Sequence, residues 1–481
     1  MDVKIIPKKL SGTLAAPPSK SHAHRVLIAQ KLARIQSRRD KDFDIPSFSQ
    51  DIEATKNCLV QLDKAMPYLD CKESGSTLRF MIPVAMALKD EAVFMGTGKL
   101  PERPISPLKE EMEAHGCVFS MGNKNQKVSD RYKEICTVRG RLQPGAYRLA
   151  GNISSQFITG LLFALPVLSG DSTLELTTKL ESAGYVDLTL DVLRDFGIDI
   201  KERTSSEGFN IYEIKGNQRY VEPDKTSIQC DWSNAAFWLA CGALGGDVTL
   251  TGLDLASSQR DKEFTDILRE MGAELTDDLS GSAAQETAGN AEKSEAAETA
   301  ENAQALSYSA AAGAAPKNPG NSESSGGSEN PGNSENPGST LCSIRCTGND
   351  LRAVEVNVSQ IPDLVPVLAS VMSLARGASL ITHAERLRIK ESDRLSTVYD
   401  FLSRLGADIT DGGDGLSLTG LETLTGGEVY GHNDHRIVMA AAVASCGCTE
   451  PVIIRGAQAV SKSYPDFFKD FAALGGEVHE I

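Results

Sequence analysis

No stretch of this 481-residue chain approaches the roughly 20 consecutive apolar residues needed to cross a bilayer as a helix, so a helical membrane protein is excluded. The start does not look like an export signal either: Met1–Leu10 reads MDVKIIPKKL, and its charges break any apolar core. The ten cysteines contain no CxxC pair. Cys342 with Cys346 and Cys446 with Cys448 are the closest pairs, and neither has a second pair of ligands at zinc spacing. Reduced structural thiols and a cytoplasmic protein are expected. Net positive charge is also missing: a formal charge of −16 argues against a nucleic-acid partner.

What is present begins with length, which exceeds one ordinary core and predicts two or more domains. Half of the net charge sits in one segment, since residues 277–340 hold ten acids and two lysines. That segment is built from Gly, Ser, Asn, Ala, Glu and Pro, with runs such as NPGNSENPGS, and too few apolar residues to offset its ordering entropy. It reads as a disordered insertion in a surface loop. The rest is only mildly acidic and compatible with a local basic pocket. Along it one pattern recurs: a helix-like stretch ends in glycine and a short strand follows, at Gly116, Gly197, Gly272, Gly406 and Gly475. Glycine just past the last apolar helical position is the usual left-handed helix stop. The spacings are 81, 75, 134 and 69 residues, and removing the 64 residues of 277–340 reduces the anomalous one to 70. Turn-to-strand signals precede four of these stops, at Gly170, Gly246, Gly377 and Cys448. Five α/β units are visible, and a degenerate sixth is expected at 20–75, where SHAHRVLIAQKLA and DIEATKNCLVQLDK look helical. Six units suggest two groups of three.

Several motifs place hydroxyl, amide or charged residues where apolar helices should begin. PSKSHAHR (Pro18–Arg25) sets Ser19 or Ser21 at a helix start, with Lys20 and Arg25 beside it. Free N–H groups and the helix dipole attract anions there, whereas added cations do nothing to cap the end. ESGSTLR (Glu73–Arg79) puts Gly75 between hydroxyls ahead of Phe80 and Met81, and the next loop holds Arg103 among prolines. Ser154, Ser155 and Gln156 precede FITGLLFALPVL and exceed what an N-cap needs. Asp363, at another helix start, would stay ionised opposite clustered cations and could act as a base. In RLRIKESDR (Arg386–Arg394), Lys390 and Arg394 are four apart, as on one helical face, where they repel unless an anion or Glu391 sits between them. NDHR (Asn433–Arg436) and Lys462 in SKSYPDF complete the set.

In this order PSKSHAHR, ESGSTLR, ERP, SSQF, IPD, KESDR, NDHR and SKSYPDF resemble the EPSP synthase family of enolpyruvyl transferases, from Lys20 to Phe467 with 277–340 excluded. The resemblance implies an α/β fold of two domains, each of three βαβαββ units, with the active site in the cleft between them. The first would span 20–229 and the second 1–19 plus 230–481, with crossings near Lys20 and Cys230. It implies transfer of enolpyruvyl from phosphoenolpyruvate to the 5-hydroxyl of shikimate 3-phosphate with release of phosphate, on the route to chorismate and the aromatic amino acids. It also implies a monomer with no metal and no cofactor, whose partners are these two small molecules. Carried over by motif, shikimate 3-phosphate would be held by Lys20, Ser21, Arg25, Ser154, Ser155, Gln156, Ser182, Tyr185, Asp363 and Lys390, with Ser182 and Tyr185 placed through ESAGY. Phosphoenolpyruvate would be held by Lys20, Gly75, Arg103, Gln156, Arg394, Arg436 and Lys462. Asp363 would take the 5-hydroxyl proton, and Glu391 would be the acid/base at the methylene carbon.

The chain departs from that pattern at Glu73 and Arg386, where many members have Asn, and in a short loop at Gly98–Arg103. Arg386 carries no implied role. A UDP-N-acetylglucosamine enolpyruvyl transferase is the nearest alternative; its relatives carry a reactive Cys in the loop that here reads TGKLPERPIS. A non-catalytic anion-binding protein is the alternative of another class, opposed by Asp363 and Glu391, because pure anion binding would shed buried acids near phosphate.

Overall fold

The computed structural model describes residues 1–39, 43, 45–122, 133–279, 341–348 and 350–481. Most of the insertion expected at 277–340 lies outside these residues. Its expected start does not: Asp277 and Asp278 end the strand Glu274–Asp278, opposite Ile344 and Ser343 of the strand Leu341–Thr347. Composition assigned these two acids to the insertion, but they complete a strand register.

The five repeat glycines stop their helical segments as expected, with φ between 77° and 101°. The polypeptide then turns into strands, and the described strands form five four-stranded sheets. Each contains one parallel and two antiparallel pairings. In the first, Tyr68–Asp70 runs parallel to Glu91–Gly96, which pairs antiparallel with Lys133–Arg139 and through it with Val118–Met121. Alternating burial, as in Ser172–Leu176, turns one sheet face to the core. The degenerate sixth unit supplies the helices Lys20–Ser37 and Gln50–Gln61, but no sheet of its own among the described residues.

Apolar side chains gather into two separate cores. One is drawn from Ala23 to Tyr220, the other from Val3 to Ala16 together with Trp232 to Leu474. Largely apolar helices run through each core: Trp232–Ala243 is buried along its whole length, and Gly75–Leu88 nearly so. Gly160 lets the helix Ser155–Ala164 approach Gly75–Leu88, since a Cβ there would lie 2.6 Å from the Arg79 carbonyl oxygen. The amino-terminal strand Val3–Ile6 joins the second core by pairing with both Val452–Arg455 and Glu477–Glu480. The two cores are linked by adjacent stretches: Ser19 N–H donates to Gln229 O at 2.8 Å and Asp231 N–H to Pro17 O at 2.8 Å.

Candidate active site

Between the cores lies a cleft of about 1020 Å³, its solvent-filled mouth included. The motif residues reach it because helices begin there. Lys20, Gly75, Ser155, Arg394 and His435 are the first residues of their helices, Tyr185 lies in the first turn of Ala183–Asp195, and Asp363 sits in the turn leading into Val365–Met372. Short polar residues set these starts. Ser19, Ser74, Ser154, Asp393 and Asp434 each accept a backbone N–H of the helix they cap. Seven helix N-termini thus aim partial positive charge at one space.

Eight cations line the cleft (Lys20, Arg25, Arg79, Arg103, Arg386, Lys390, Arg394 and Arg436) against three carboxylates, Asp51, Asp363 and Glu391. Arg394 is the hub. It donates from Nη1 to Asp363 Oδ1 at 2.7 Å, from Nη2 to Glu391 Oε2 at 2.7 Å and from Nε to Asp434 Oδ2 at 2.8 Å. Asp363 also faces Arg436 at 3.2 Å and Lys390 at 3.5 Å, and accepts from Tyr185 Oη at 3.0 Å. Burial alone would raise the Asp363 carboxyl, but Arg436, Lys390 and Arg394 outweigh it and hold it well below the usual carboxylate range. Glu391 follows the same balance: burial opposes ionisation, while Arg394, Arg103 and their neighbours prevail. Burial, with Lys20 and Arg436 close by, keeps His435 well below the ordinary imidazole value, so its ring is neutral.

On the facing wall Arg25 donates to Thr189 Oγ1 at 2.8 Å, Ser21 O at 2.6 Å and Tyr185 O at 2.7 Å, and burial lowers it to about 9. Lys20 pairs with Asp51 at 2.9 Å. Gln156 donates to Ser76 Oγ at 2.9 Å and accepts from Arg79 at 2.6 Å. Arg103 lies across Gly75, where a Cβ would come within 2.6 Å of its Nη1 and would have to displace the guanidinium. Ser182 takes a left-handed φ of 55°, unusual for a residue with a Cβ, and its Oγ accepts from Arg386 at 3.0 Å. The Nε atoms of Arg79 and Arg103 and both ring nitrogens of His435 are buried without a hydrogen-bond partner in the protein. Such unspent hydrogen-bonding capacity suits a site for polar ligands.

Every residue that the resemblance marks as substrate-binding or catalytic lines this cleft except Lys462. The structure places Lys462 beside it, with Nζ donating to Glu73 Oε2 at 2.6 Å and to Asn433 O at 2.6 Å. The helical spacing expected of Lys390 and Arg394 is also corrected. Lys390 is extended and ends the short turn Glu385–Ile389, while a new helix starts at Arg394. Asp393 caps that helix, and Arg388 pins the link by pairing with Asp393 and Asp411, so cap and ion pairs override local spacing. Both cations still converge on Asp363. Sequence reasoning missed Asp51, Arg79, Arg386 and His435 as wall residues. Arg79, Arg386 and His435 stood inside motifs already singled out, but nothing near Asp51 marked it.

Among the described residues no group of three or more His, Cys, Asp or Glu could hold a metal ion. Fold and site define a protein whose cleft, between two α/β halves, carries a surplus of cations around two ionised carboxylates, an arrangement that suits small polyanions.

The model of the family "EPSP synthase (3-phosphoshikimate 1-carboxyvinyltransferase)" matches residues 53–318 and 337–471. A 3-phosphoshikimate 1-carboxyvinyltransferase of Clostridium kluyveri is 39% identical over 99% of this chain and 98% of its own length. One from Clostridium perfringens is 37% identical over 99% of both chains. Among solved structures, EPSP synthase from Acinetobacter baumannii superposes over 100% of both chains with a TM-score of 0.68 at 21% identity. The enolpyruvyl transferase NikO from Streptomyces tendae covers 99% of this chain and is itself covered to 98%, with a TM-score of 0.62 at 14% identity; at that level the likeness is one of fold. The chain belongs to the EPSP synthase family.

Proposed function

We infer that this chain transfers the enolpyruvyl group of phosphoenolpyruvate to the 5-hydroxyl of shikimate 3-phosphate and releases phosphate, a step in aromatic amino-acid biosynthesis. The observation that carries this reading to the site is the surplus of eight cations over three carboxylates where seven helices begin. Two substrates, each with one phosphate and one carboxylate, bring about five to six negative charges at neutral pH. Their mutual repulsion calls for a surplus of that order.

The Ser154–Gln156 wall with Lys20, Ser21, Arg25, Ser182, Tyr185 and Lys390 is assigned to shikimate 3-phosphate. Gly75, Arg103, Arg394 and Arg436, with Lys20, Gln156 and Lys462, are assigned to phosphoenolpyruvate. Arg offers bidentate contacts to these oxyanions and Lys a point charge. Without substrate Asp363 is a weak base, because cations hold it ionised. Substrate anions that draw on Arg394, Arg436 and Lys390 raise its basicity, and the same exchange at Arg394 and Arg103 lifts Glu391 toward a value at which it can carry a proton. Glu391 then protonates the methylene carbon of phosphoenolpyruvate and the adjacent carbon becomes electrophilic. The 5-hydroxyl oxygen bonds to that carbon as Asp363 takes its proton. The tetrahedral adduct loses phosphate by C–O cleavage, and Glu391 recovers the methyl proton as the double bond re-forms.

The two cores are taken as two domains, 20–229 and 1–19 plus 230–481. All groups invoked belong to one chain, which suits a monomer. A cytoplasmic location accords with ten free cysteines and with no helix, among the described residues, long and apolar enough to cross a membrane. Phosphate release from phosphoenolpyruvate tests the reading. Release is expected with shikimate 3-phosphate and not with UDP-N-acetylglucosamine; the opposite pattern, or release with neither, overturns it.

A further inference from the structure

Glu73 precedes the helix Gly75–Leu88 on the side of the first core, and its partners belong to the second. Its Oε2 accepts from Lys462 Nζ at 2.6 Å and from Asn433 Nδ2 at 2.7 Å. Lys462 also donates to the Asn433 carbonyl at 2.6 Å, which closes a three-member ring of contacts. Asn433 adopts a left-handed φ of 56°, a conformation Asn reaches more readily than most residues. The neighbouring loop is shaped around the carboxylate: a Cβ on Gly98 would lie 2.6 Å from Glu73 Cδ and 2.8 Å from both of its oxygens. The Lys462 side chain is 9% exposed and that of Glu73 30%, so the pair sits at the rim of the cleft, partly shielded from water. Arg103, one of the cations assigned to phosphoenolpyruvate, packs over Gly75, two residues along the chain from Glu73.

We propose that Glu73 is a positioning residue, an internal counter-ion that latches Lys462 and Asn433 across the cleft and competes with the phosphate of phosphoenolpyruvate for Lys462. This rests on the assignment of Lys462 to that substrate. Without substrate, Glu73 supplies the negative charge that Lys462 requires. Entry of phosphoenolpyruvate requires Lys462 to exchange this partner for the phosphate, and Glu73 remains nearby as a like charge. The latch therefore sets the apparent affinity for one substrate and leaves the proton transfers at Asp363 and Glu391 untouched.

Steady-state kinetics of Glu73→Gln against wild type, with each substrate varied in turn, test the proposal. A partly exposed ion pair of this kind predicts a fall of about two- to fivefold in KM for phosphoenolpyruvate. kcat and KM for shikimate 3-phosphate should stay within about twofold of wild type, and 0.5 M KCl should shrink the difference. In a Lys462→Met background, Glu73→Gln should have no further effect on KM. Glu73→Asn, neutral and shorter, should reproduce the direction and covers the case in which the first variant folds poorly. An unchanged or raised KM for phosphoenolpyruvate, a fall confined to kcat, or an equal effect with Lys462 absent overturns the latch. Wild-type turnover in the same assay reports on the reaction itself, so failure of the latch and failure of the functional assignment give different results.

Discussion

Replacing Arg394 with Met should destabilise the second core by about 3–5 kcal/mol at pH 7.5, the usual cost of stripping one partner from a buried ion pair. Arg394 serves three carboxylates, which invites a threefold larger figure, but its partners are not left bare. Asp434 still accepts from the Arg436 backbone N–H at 3.0 Å and from Ser392 Oγ at 3.0 Å. Asp363 keeps Arg436 at 3.2 Å and the Tyr185 hydroxyl at 3.0 Å. Glu391 is the acid stripped most fully, with Arg103 at 3.5 Å its remaining ion-pair partner. The single-pair cost is therefore the right scale. Its pH dependence follows from the carboxylates. In the wild type Asp363 and Glu391 lie well below their ordinary range despite burial, so their ionic contribution is complete above about pH 4 and lost as pH falls through the lower folded values. Without Arg394 those folded values rise. The deficit should be full at pH 7.5 and narrow toward pH 4–5 as the stranded acids protonate. Trp232 and Trp238, both buried in the second core, report its unfolding by fluorescence in a urea titration. A deficit below about 1 kcal/mol at pH 7.5, or one equally large at pH 5, would refute the reasoning.

Glu391→Gln should lower kcat by about 10²–10⁴, the range for a general acid/base, and a loss under tenfold in the phosphate-release assay removes that role. Asp261 is raised to about 6, first by burial and then by Asp363, so its ionisation weakens the fold progressively as pH rises from about 4 to 6. Asp261→Asn should gain stability over wild type across that window, toward an upper bound of about 3 kcal/mol; a difference constant with pH in urea titrations contradicts this. Because Asp278 lies opposite Ser343 in adjacent antiparallel strands, replacing residues 281–340 with an Asn-Gly turn keeps that register and should close a hairpin. Turnover within about twofold of wild type is expected, and an inactive or unfolded product would show that the replaced segment is needed.

The helix stops and starts were legible because local chemistry decides them. Gly116, Gly197, Gly272, Gly406 and Gly475 adopt the left-handed conformation that their place after an apolar helical stretch demands. Ser19, Ser74 and Ser154 cap where hydroxyls preceded apolar runs. Convergence is another matter, since spacing along the chain says which side chains share a helix face and nothing about partners 300 residues away. Lys462 shows the limit. Its motif marked it as a cation for substrate, yet its position is fixed by Glu73, 389 residues earlier, and by the Asn433 carbonyl. The KESDR motif shows the same limit at short range: a cap at Asp393 and the Arg388 pairs break the helix that a four-residue spacing suggests. Asp51 had no signal at all, because a carboxylate near the start of an ordinary helix already satisfies the dipole and only the fold brings Lys20 within 2.9 Å of it. Glu391 and Asp363 were readable as anions among the cations, but the carboxylates that balance Lys462 and Lys20, namely Glu73 and Asp51, were not. A cationic site must be charge-compensated before its substrate arrives, and the compensating carboxylate can come from any element the topology brings near. Residues that tune a polyanion site are for that reason harder to read from a motif than residues that bind the polyanion.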